Sequence, residues 1–294
     1  MLVGVCGIGC MGAALAERLI ETGHNVGVWN RTTSNCERLK AIGATVADRP
    51  AKLAEISEVT LVIVANDTAQ AAIYNGPDGL AAADLSGRIV IDMSTVSQAA
   101  SQWAAELIAS ASGLFLECPI GGTVAPAKAG KLLGLAGGDA ATFDRAKPLL
   151  DQLCRRVEHV GPVGSGAAAK LAINLPLAVY WEALGEALSI AVAGGVPKEL
   201  AMDLLGDSSG AIAVAKARMP TVVEAITSDD PAPPAFDIAS MTEDLGLMVE
   251  AAEKSGVSAP VAMAARGAYE QSSEGGWAGR DAATQASWRF CSTR

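Results

Sequence analysis

Short apolar runs alternate with segments of helical period up to about residue 160 of this 294-residue chain. The runs are rich in Val, Ile and Leu and mostly lack polar positions, which is typical of strands covered on both faces by helices. The alternation predicts βαβ units and an α/β fold with a doubly wound parallel sheet. The predicted strands are Leu2–Cys6, Asn25–Trp29, Ala44–Val46, Val59–Val64, Arg88–Asp92, Gly113–Glu117, Lys131–Ala136 and Arg155–Val160.

The pattern changes after Val160, where Ala-rich segments of helical period replace the strands. The breaker Gly161-Pro162-Val163-Gly164 separates the two patterns, so we predict one domain over residues 1–162 and an all-helical domain over residues 163–294. A helix from Ser165 to about Gly194, roughly 45 Å long at 1.5 Å per residue, would join them. Further helices are predicted at Pro197–Leu205, Ala211–Ala225, Ile238–Ser255 and Pro260–Glu274, and a proline-rich loop at Ser228–Pro234.

The charge and the cysteines exclude several classes of function. Acidic residues outnumber basic ones 32 to 22, for a net charge of −10, so nucleic acid and anionic membranes are poor partners. The six cysteines form no C-x-x-C pair and there are only two histidines. We therefore expect no metal site and no disulfide framework, and free thiols in a cytoplasmic protein.

No segment predicts export or membrane insertion. The apolar stretch at the N-terminus has no basic region before it and is interrupted by glycines, so we expect no signal peptide. The long apolar helix contains Asn174, Pro176, Glu182 and Glu186, which leave no uninterrupted run of about 18 apolar residues.

The glycine motif Gly7-Ile8-Gly9-Cys10-Met11-Gly12 fits the pattern G-x-G-x-x-G. The motif alone is weak, but here it follows a predicted strand and begins an amphipathic helix. In that context Gly7 permits the tight turn, Gly9 lets a diphosphate approach the backbone, and Gly12 allows the helix to pack closely on the strand. The free N–H groups and the helix dipole then bind the phosphates, which predicts a dinucleotide cofactor.

The end of the second strand favours NADP over NAD. An acidic residue there would bind the ribose hydroxyls of NAD, but this chain has Asn30 followed by Arg31. A guanidinium can bind a 2′-phosphate through two parallel charge-assisted hydrogen bonds. Thr32, Thr33 and Ser34 can donate to the same oxygens. The alternative is that Arg31 is solvated and the hydroxyl groups cap the next helix.

Lys170 and Asn174 are the strongest catalytic candidates. They lie four residues apart near the start of the long helix and therefore share one face. Burial and a cationic nicotinamide would lower the pKa of the lysine, so that it could act as general acid in reduction and as base in oxidation. Pro176 should bend this helix and direct both side chains toward the substrate.

The chain resembles the β-hydroxyacid dehydrogenase family, because five motifs recur in the family's order and spacing. They are Gly7–Gly12, Val28–Thr32, Asp92–Thr95, Pro119–Thr123 and Lys170-x-x-x-Asn174. The likeness extends as far as Phe236 and the pair Glu243-Asp244. The family includes 3-hydroxyisobutyrate dehydrogenase and 6-phosphogluconate dehydrogenase, and the pattern is closest to NADPH-dependent glyoxylate/succinic semialdehyde reductase.

The resemblance implies a Rossmann domain that binds NADP, an all-helical domain for substrate binding and dimerisation, an active site between them, and a homodimer or homotetramer. It implies that Lys170 donates the proton with Asn174 as its partner. The implied substrate-binding residues are Thr95, Gly121, Gly122 and Thr123. The implied cofactor-binding residues are Gly7, Gly9, Met11, Gly12, Asn30, Arg31, Thr32, Asn66, Asp67, Thr95 and Glu243.

Two positions depart from the family pattern. Gly121 stands where relatives commonly have a serine that helps bind the substrate carboxylate, although Thr123 could replace it. Glu243 stands where they commonly have lysine, which would weaken binding of an anionic substrate unless Glu243 points to solvent. These losses could total a few kcal/mol, enough to change the substrate class.

We therefore expect an NADP-dependent oxidoreductase that transfers hydride between NADPH and a small aldehyde acid or semialdehyde. One alternative is a 3-hydroxy-amino-acid dehydrogenase or an imine reductase on the same fold, since Glu243 would suit an amine-bearing substrate. Imine reductases of this fold generally lack the lysine found here as Lys170, which favours carbonyl chemistry. A second alternative is a catalytically silent NADP-binding protein.

Overall fold

The computed structural model describes residues 1–227, 234 and 236–292. The chain divides into two compact units, Met1–Lys170 and Leu171–Arg294. The division falls within the long helix, a few residues after the Gly161–Gly164 breaker. The predicted loop Ser228–Pro234 lies outside the described residues, except for Pro234.

Nine strands of the described chain form a single sheet in the first unit, in the order β3-β2-β1-β4-β5-β6-β8-β7, with β9 beside β8. The strands are β1 (Leu2–Cys6), β2 (Asn25–Trp29), β3 (Thr45–Val46), β4 (Val59–Val62), β5 (Ile89–Asp92), β6 (Leu114–Glu117), β7 (Ile120–Gly121), β8 (Leu132–Gly138) and β9 (Cys154–Gly161). The order 3-2-1-4-5-6, with all neighbours parallel, is that of the Rossmann fold.

The far edge of the sheet departs from the predicted parallel arrangement. Strand β8 runs antiparallel to β6 and β7 and parallel to β9. The short strand β7 was not predicted, because two residues after a proline carry no periodic signal. The other eight strands occur where the apolar runs predict them, with ends shifted by at most two residues.

The helices of the two units follow in chain order. They are α1 (Cys10–Glu21), α2 (Glu37–Ala41), α3 (Pro50–Ile56), α4 (Asp67–Tyr74), α5 (Gln98–Ser110), α6 (Val124–Lys128), α7 (Ala140–Leu153), α8 (Ser165–Ala193), α9 (Lys198–Asp207), α10 (Ala215–Thr227), α11 (Ile238–Lys254), α12 (Pro260–Ser272) and α13 (Gln285–Ser292). The five helices predicted after Val160 are all present, and α10 begins four residues later than predicted.

Both faces of the sheet are covered by apolar layers. Val3 and Val5 of β1 belong to one buried cluster, whereas Cys6 at the end of the same strand belongs to the other. Strand β4 divides likewise, with Leu61 in the first cluster and Val62 in the second. Successive side chains of a strand point to opposite faces, so the sheet is buried on both sides as predicted.

The second unit packs on the apolar residues of α8. Leu171 and Ala178 join one buried cluster with residues of α11 and α12. Trp181, Leu184 and Leu188 join a second cluster with residues of α9, α10 and α13. All regular elements described after Leu171 are helical, so this unit has the predicted helical architecture.

Helix α8 continues without interruption through Pro176, and the predicted bend at this residue stays a prediction. By length and composition this one helix of the described chain is also apolar enough to cross a membrane. Its most apolar 18-residue stretch has a mean hydropathy of 1.3. The helix meets this criterion although it contains Asn174, Pro176, Glu182 and Glu186. The feature is weak evidence for a span, because core helices of soluble proteins meet the same criterion.

Candidate cofactor and active site

The glycine loop between β1 and α1 leaves its middle residue open to a ligand. Gly7 has a φ of +97°, and a Cβ there would collide with the carbonyl oxygen of Ile63. A Cβ at Gly12 would collide with the carbonyl oxygen of Gly7. A Cβ at Gly9 would meet nothing within 4 Å. Packing thus requires glycine at the first and last positions, whereas the middle one exposes backbone.

The start of α1 can bind an anion through its backbone. Gly9 is the N-cap residue, and no side chain caps the first amides. The side chain of Met11 packs against the core of the first unit, so Met11 can reach a phosphate only through its amide. Free N–H groups at a helix N-terminus favour a diphosphate. These residues therefore fit the dinucleotide that the sequence predicts.

Two asparagines hold the peptide groups of Ile8 within this loop. The amide N–H of Ile8 donates to Asn30 Oδ1 at 2.9 Å, and Asn35 Nδ2 donates to the carbonyl oxygen of Ile8 at 3.1 Å. Asn30 Nδ2 also donates to the carbonyl oxygen of Thr32 at 3.0 Å. Asn30 thus positions the phosphate loop, in addition to its predicted place among the cofactor-binding residues. The sequence analysis did not predict a role for Asn35, because its partner Ile8 lies 27 residues away in the sequence.

The side chains that are predicted to bind a 2′-phosphate are exposed. Arg31 and Thr32 are the second and third residues after β2, and both are exposed to solvent. Thr32 is the N-cap residue of a short 3₁₀ helix, Thr33–Cys36, but its hydroxyl group makes no capping hydrogen bond. The alternative role of a helix cap therefore does not hold for Thr32.

Asn66 and Asp67 fasten the loops that follow β4 and β5. Asn66 caps α4 by accepting a hydrogen bond from the amide of Ala69. The carboxylate of Asp67 accepts from the amide and the hydroxyl group of Ser97, at 2.9 and 2.6 Å. The half-buried Thr95 lies in the loop that Asp67 holds. These contacts place the predicted residues at the carboxyl ends of adjacent parallel strands, where Rossmann folds bind ligands.

The segment that carries Gly121 has room for a larger side chain. Gly121 pairs with Leu133 in the sheet, and a Cβ on Gly121 would lie 3.5 Å from the Leu133 Cβ, an ordinary contact. Gly122 differs, because its φ is +130° and an added Cβ would lie 2.8 Å from the Leu132 side chain. Thr123 is exposed and is the N-cap of α6 without a side-chain capping bond.

Lys170 is the last residue of the first unit and is buried, with 8% of its surface exposed. It lies one turn after the start of α8, whose first amides donate to the buried carboxylate of Glu117. Burial raises the pKa of Glu117, while hydrogen bonds from Ser101 and the backbone act in the opposite direction. Glu117 was predicted only as the end of a strand.

Asn174 is held by a carboxylate within the second unit. Its Nδ2 donates to Asp244 Oδ2 at 3.0 Å, and both residues are buried. Glu243, the neighbour of Asp244, is exposed. The structure thus makes Asp244 the partner of a predicted catalytic residue, a role that the sequence left unassigned. Among the described residues, no group of three His, Cys, Asp or Glu side chains could hold a metal ion.

Residues 2–161 match the family described as the NAD binding domain of 6-phosphogluconate dehydrogenase. Residues 164–288 match the family described as the NAD-binding domain of NADP-dependent 3-hydroxyisobutyrate dehydrogenase. The chain belongs to the β-hydroxyacid dehydrogenase family. The resemblance that the five sequence motifs indicate is therefore confirmed.

Relatives of this family cover nearly the whole chain. Glyoxylate/succinic semialdehyde reductase 1 of Arabidopsis thaliana is 32% identical, with 92% of each chain covered. The NAD-dependent L-serine dehydrogenase of Pseudomonas aeruginosa is 29% identical, covering 95% of this chain and 94% of its own. A structure of Mycobacterium tuberculosis 3-hydroxyisobutyrate dehydrogenase with L-serine has a TM-score of 0.82 at 26% identity, with 97% of each chain covered.

Membership in the β-hydroxyacid dehydrogenase family settles the general class of the protein. It is an oxidoreductase that uses a nicotinamide cofactor, NAD or NADP, and acts on a small molecule. The fold of the first unit is the Rossmann fold of its structural relatives. The phosphate loop described above is the part of this chain that fits such a cofactor.

Proposed function

We propose that the chain is an NADPH-dependent reductase of a small aldehyde acid or semialdehyde, such as glyoxylate or succinic semialdehyde, and forms the corresponding hydroxy acid. The observation that carries this proposal is the buried Lys170, one helical turn from Asn174 on an unbroken helix. A positioned lysine ammonium can donate its proton to a carbonyl oxygen as a general acid. The named reductases among the relatives support the substrate class.

The bound cofactor would supply the hydride. In our proposal Lys170 donates a proton to the substrate oxygen during reduction and removes it during oxidation. Asn174 orients the same oxygen, and Asp244 fixes the amide of Asn174 by accepting its N–H. Thr95, Gly121, Gly122 and Thr123 would line the substrate pocket, with Thr123 as the hydroxyl donor to a carboxylate.

Arg31 supports NADP as the cofactor. Arg31 is exposed and lies two residues after the end of β2, where the 2′ position of the ribose is bound in Rossmann folds. A 2′-phosphate would gain a bidentate charge-assisted contact there. In our proposal Asn66, Asp67 and the exposed Glu243 lie near the cofactor as well.

A 3-hydroxy amino acid is the alternative substrate. Gly121 lacks the serine hydroxyl common in the family, and Glu243 brings a carboxylate that could attract an ammonium group. The L-serine dehydrogenase among the relatives supports this alternative. Imine reduction is less well supported, because the imine reductases among the neighbours are only 18–20% identical and share the fold alone. A homodimer or homotetramer in the cytoplasm is part of the proposal.

The proposal is tested by NADPH oxidation with glyoxylate, succinic semialdehyde, methylglyoxal and a cyclic imine, and by NAD(P) reduction with L-serine. We expect turnover with an aldehyde acid. Lys170→Met should lower kcat by about 10²-fold or more while the Kd for NADPH stays within about twofold. The matched control is Lys131→Met, which removes an exposed lysine of the same unit and should leave kcat unchanged.

Three outcomes would overturn the proposal. Turnover of L-serine alone would assign the alternative substrate, and turnover of the imine alone would assign imine reduction. Full activity of Lys170→Met would remove the proton donor from the mechanism.

A further inference from the structure

The carboxylate of Glu117 binds the first turn of the helix that carries Lys170. The amides of Gly164 and Gly166 donate to Glu117 Oε1 at 2.6 and 2.7 Å. The hydroxyl group of Ser101 donates to Oε2, and the amide of Ala167 is a further donor. One buried side chain at the end of β6 thus satisfies most of the free amides at the start of α8.

The niche around this carboxylate is closely packed. A Cβ on Gly137 would collide with Glu117 Oε1, and a Cβ on Gly166 would lie 3.1 Å from the same oxygen. Gly166 also approaches the carbonyl oxygen of Leu135 so closely that a Cβ would collide with it. Glycines on β8 and α8 therefore leave room for the carboxylate, and the first turn of α8 is bound directly to the sheet.

The chain that leads into α8 contains two glycines in a conformation that other residues rarely adopt. Gly161 and Gly164 have φ values of +144° and +98°, a conformation that glycine adopts at little cost. The side chain of Gln98 adds a hydrogen bond here, donating to the carbonyl oxygen of Gly164 at 3.1 Å. The position of the first turn therefore depends mainly on Glu117.

Lys170 lies close enough to the first turn of α8 for its position to depend on how that turn is held. It follows Gly166 by four residues, or about 6 Å along the helix axis. A helix transmits displacement of its first turn to the next, and a misplacement of about 1 Å in a reacting group can cost about 10²-fold in rate. All these residues belong to the first unit, so the constraint acts within one compact body.

We propose that Glu117 is a positioning residue for Lys170: its carboxylate fixes the first turn of α8 and thereby the place of the lysine amine during proton transfer. This inference rests on the proposed role of Lys170. It goes beyond that role because Glu117 binds Ser101 and backbone amides of α8 and would act on Lys170 through the helix backbone.

Glu117→Gln in the full-length protein tests this inference, because it leaves a single neutral acceptor oxygen where two carboxylate oxygens accept from the Gly164 and Gly166 amides and from Ser101, and hydrogen bonds to a charged acceptor are the stronger ones. Hydrogen exchange of the amides in residues 164–170 should rise about tenfold or more. The kcat should fall about tenfold or more, while the Kd for NADPH stays within about twofold because the phosphate loop is untouched. Glu117→Asp keeps the charge on a shorter side chain and should retain more activity than Glu117→Gln.

The matched control is Asp139→Asn in the same unit. Asp139 caps α7 by accepting from the amide of Thr142 at 2.9 Å, but no proposed site residue lies on α7. This variant should raise exchange only near residues 140–143 and leave kcat unchanged. If both variants lost kcat in proportion to their loss of Tm, Glu117 would be a general structural residue and the proposal would be wrong.

Hydrogen exchange separates this proposal from the proposed function. Unchanged exchange over residues 164–170 in Glu117→Gln would overturn the positioning role, whatever the activity. Absence of aldehyde reduction by the unaltered protein would overturn the proposed function instead. If Glu117→Gln does not fold, Ser101→Ala removes one donor to the carboxylate. It should raise exchange over residues 164–170 and lower kcat about threefold, and wild-type values for both would contradict the proposal.

Discussion

A single exposed guanidinium determines the cofactor preference in our proposal. Arg31→Ala should raise the KM for NADPH about 10-fold to 100-fold, because charge-assisted hydrogen bonds are worth about 1.5–3 kcal/mol. The KM for NADH should change little, since NADH has no 2′-phosphate. Steady-state kinetics with both cofactors measures the ratio.

Arg49→Ala is the control for this prediction. Arg49 is also exposed and lies in the same unit, where its guanidinium is 3.8 Å from the carboxylate of Asp78. Its removal should leave both KM values unchanged. An unchanged NADPH to NADH ratio in Arg31→Ala would remove the argument for NADP.

Gly121 offers a test of substrate choice at one residue. A Cβ fits there at 3.5 Å from Leu133, so Gly121→Ser should leave Tm within about 1 °C, as a surface change below about 0.5 kcal/mol does. The new hydroxyl should raise kcat/KM for an aldehyde acid about fivefold to tenfold, the value of one hydrogen bond. Kinetics with succinic semialdehyde measures the gain.

Gly122→Ser provides the contrast, because its φ of +130° and the neighbouring Leu132 side chain oppose any side chain. We expect a Tm several degrees lower. Equal stability of the two variants would contradict the packing argument, and an unchanged kcat/KM in Gly121→Ser would place the carboxylate elsewhere.

The residues that the sequence analysis did not predict share one property: each forms a hydrogen bond with a residue far away in the sequence. Asn35 binds Ile8 across 27 residues, Glu117 binds Gly166 across 49, and Asp244 binds Asn174 across 70. Periodicity and short motifs describe local geometry, so they predict the glycine loop and the candidate Lys170 but not these three distant contacts. A helix cap, by contrast, joins residues only three positions apart, as Asp139 and Thr142 at the start of α7 show.

At the scale of elements, the sequence predicts where strands occur better than how they pair. The apolar runs identify eight of the nine strands, because burial on both faces leaves a continuous apolar signal. The sequence does not show in which direction β8 runs, since side chains alternate with a period of two in either direction. Gly134, Gly137 and Gly138 within β8 also weaken its apolar pattern.

The phosphate loop is an element in which stability and ligand binding can be separated by residue. At Gly9 an added Cβ meets nothing within 4 Å, whereas at Gly12 it meets the carbonyl oxygen of Gly7. Gly9→Val should therefore leave Tm nearly unchanged and weaken NADPH binding by about 10²-fold, because it fills the space needed by the diphosphate. Gly12→Val should lower Tm by several degrees through overpacking.

Thermal unfolding and fluorescence titration with NADPH measure the two effects in each variant. Tight binding by Gly9→Val would show that the cofactor does not approach this loop. A stable Gly12→Val would show that α1 does not depend on the close contact with Gly7.

At the scale of the whole molecule, the cofactor should stabilise mainly the first of the two units, because all of its proposed contacts except Glu243 lie there. The phosphate loop, Arg31, Asn66 and Lys170 all lie within Met1–Lys170, whereas the Asn174–Asp244 pair lies in Leu171–Arg294. A ligand that binds the folded first unit shifts its unfolding equilibrium by mass action. The two units therefore differ in how their unfolding should respond to NADPH.

NADPH at 100 times its Kd should stabilise the first unit by about 2.7 kcal/mol. For a unit of this size, that corresponds to a Tm increase of roughly 5–11 °C, at about 2–4 °C per kcal/mol. Calorimetry should show this Tm increase in the unfolding transition of the first unit. Far-ultraviolet circular dichroism identifies that transition by the loss of the sheet signal. Gly9→Val should not show the Tm increase at the same NADPH concentration. Lys170→Met should still show it, because Lys170 acts on the substrate oxygen and not on the cofactor in our mechanism. If Lys170→Met lost the shift as completely as Gly9→Val, Lys170 would be a cofactor-binding residue and its assignment as proton donor would need another basis.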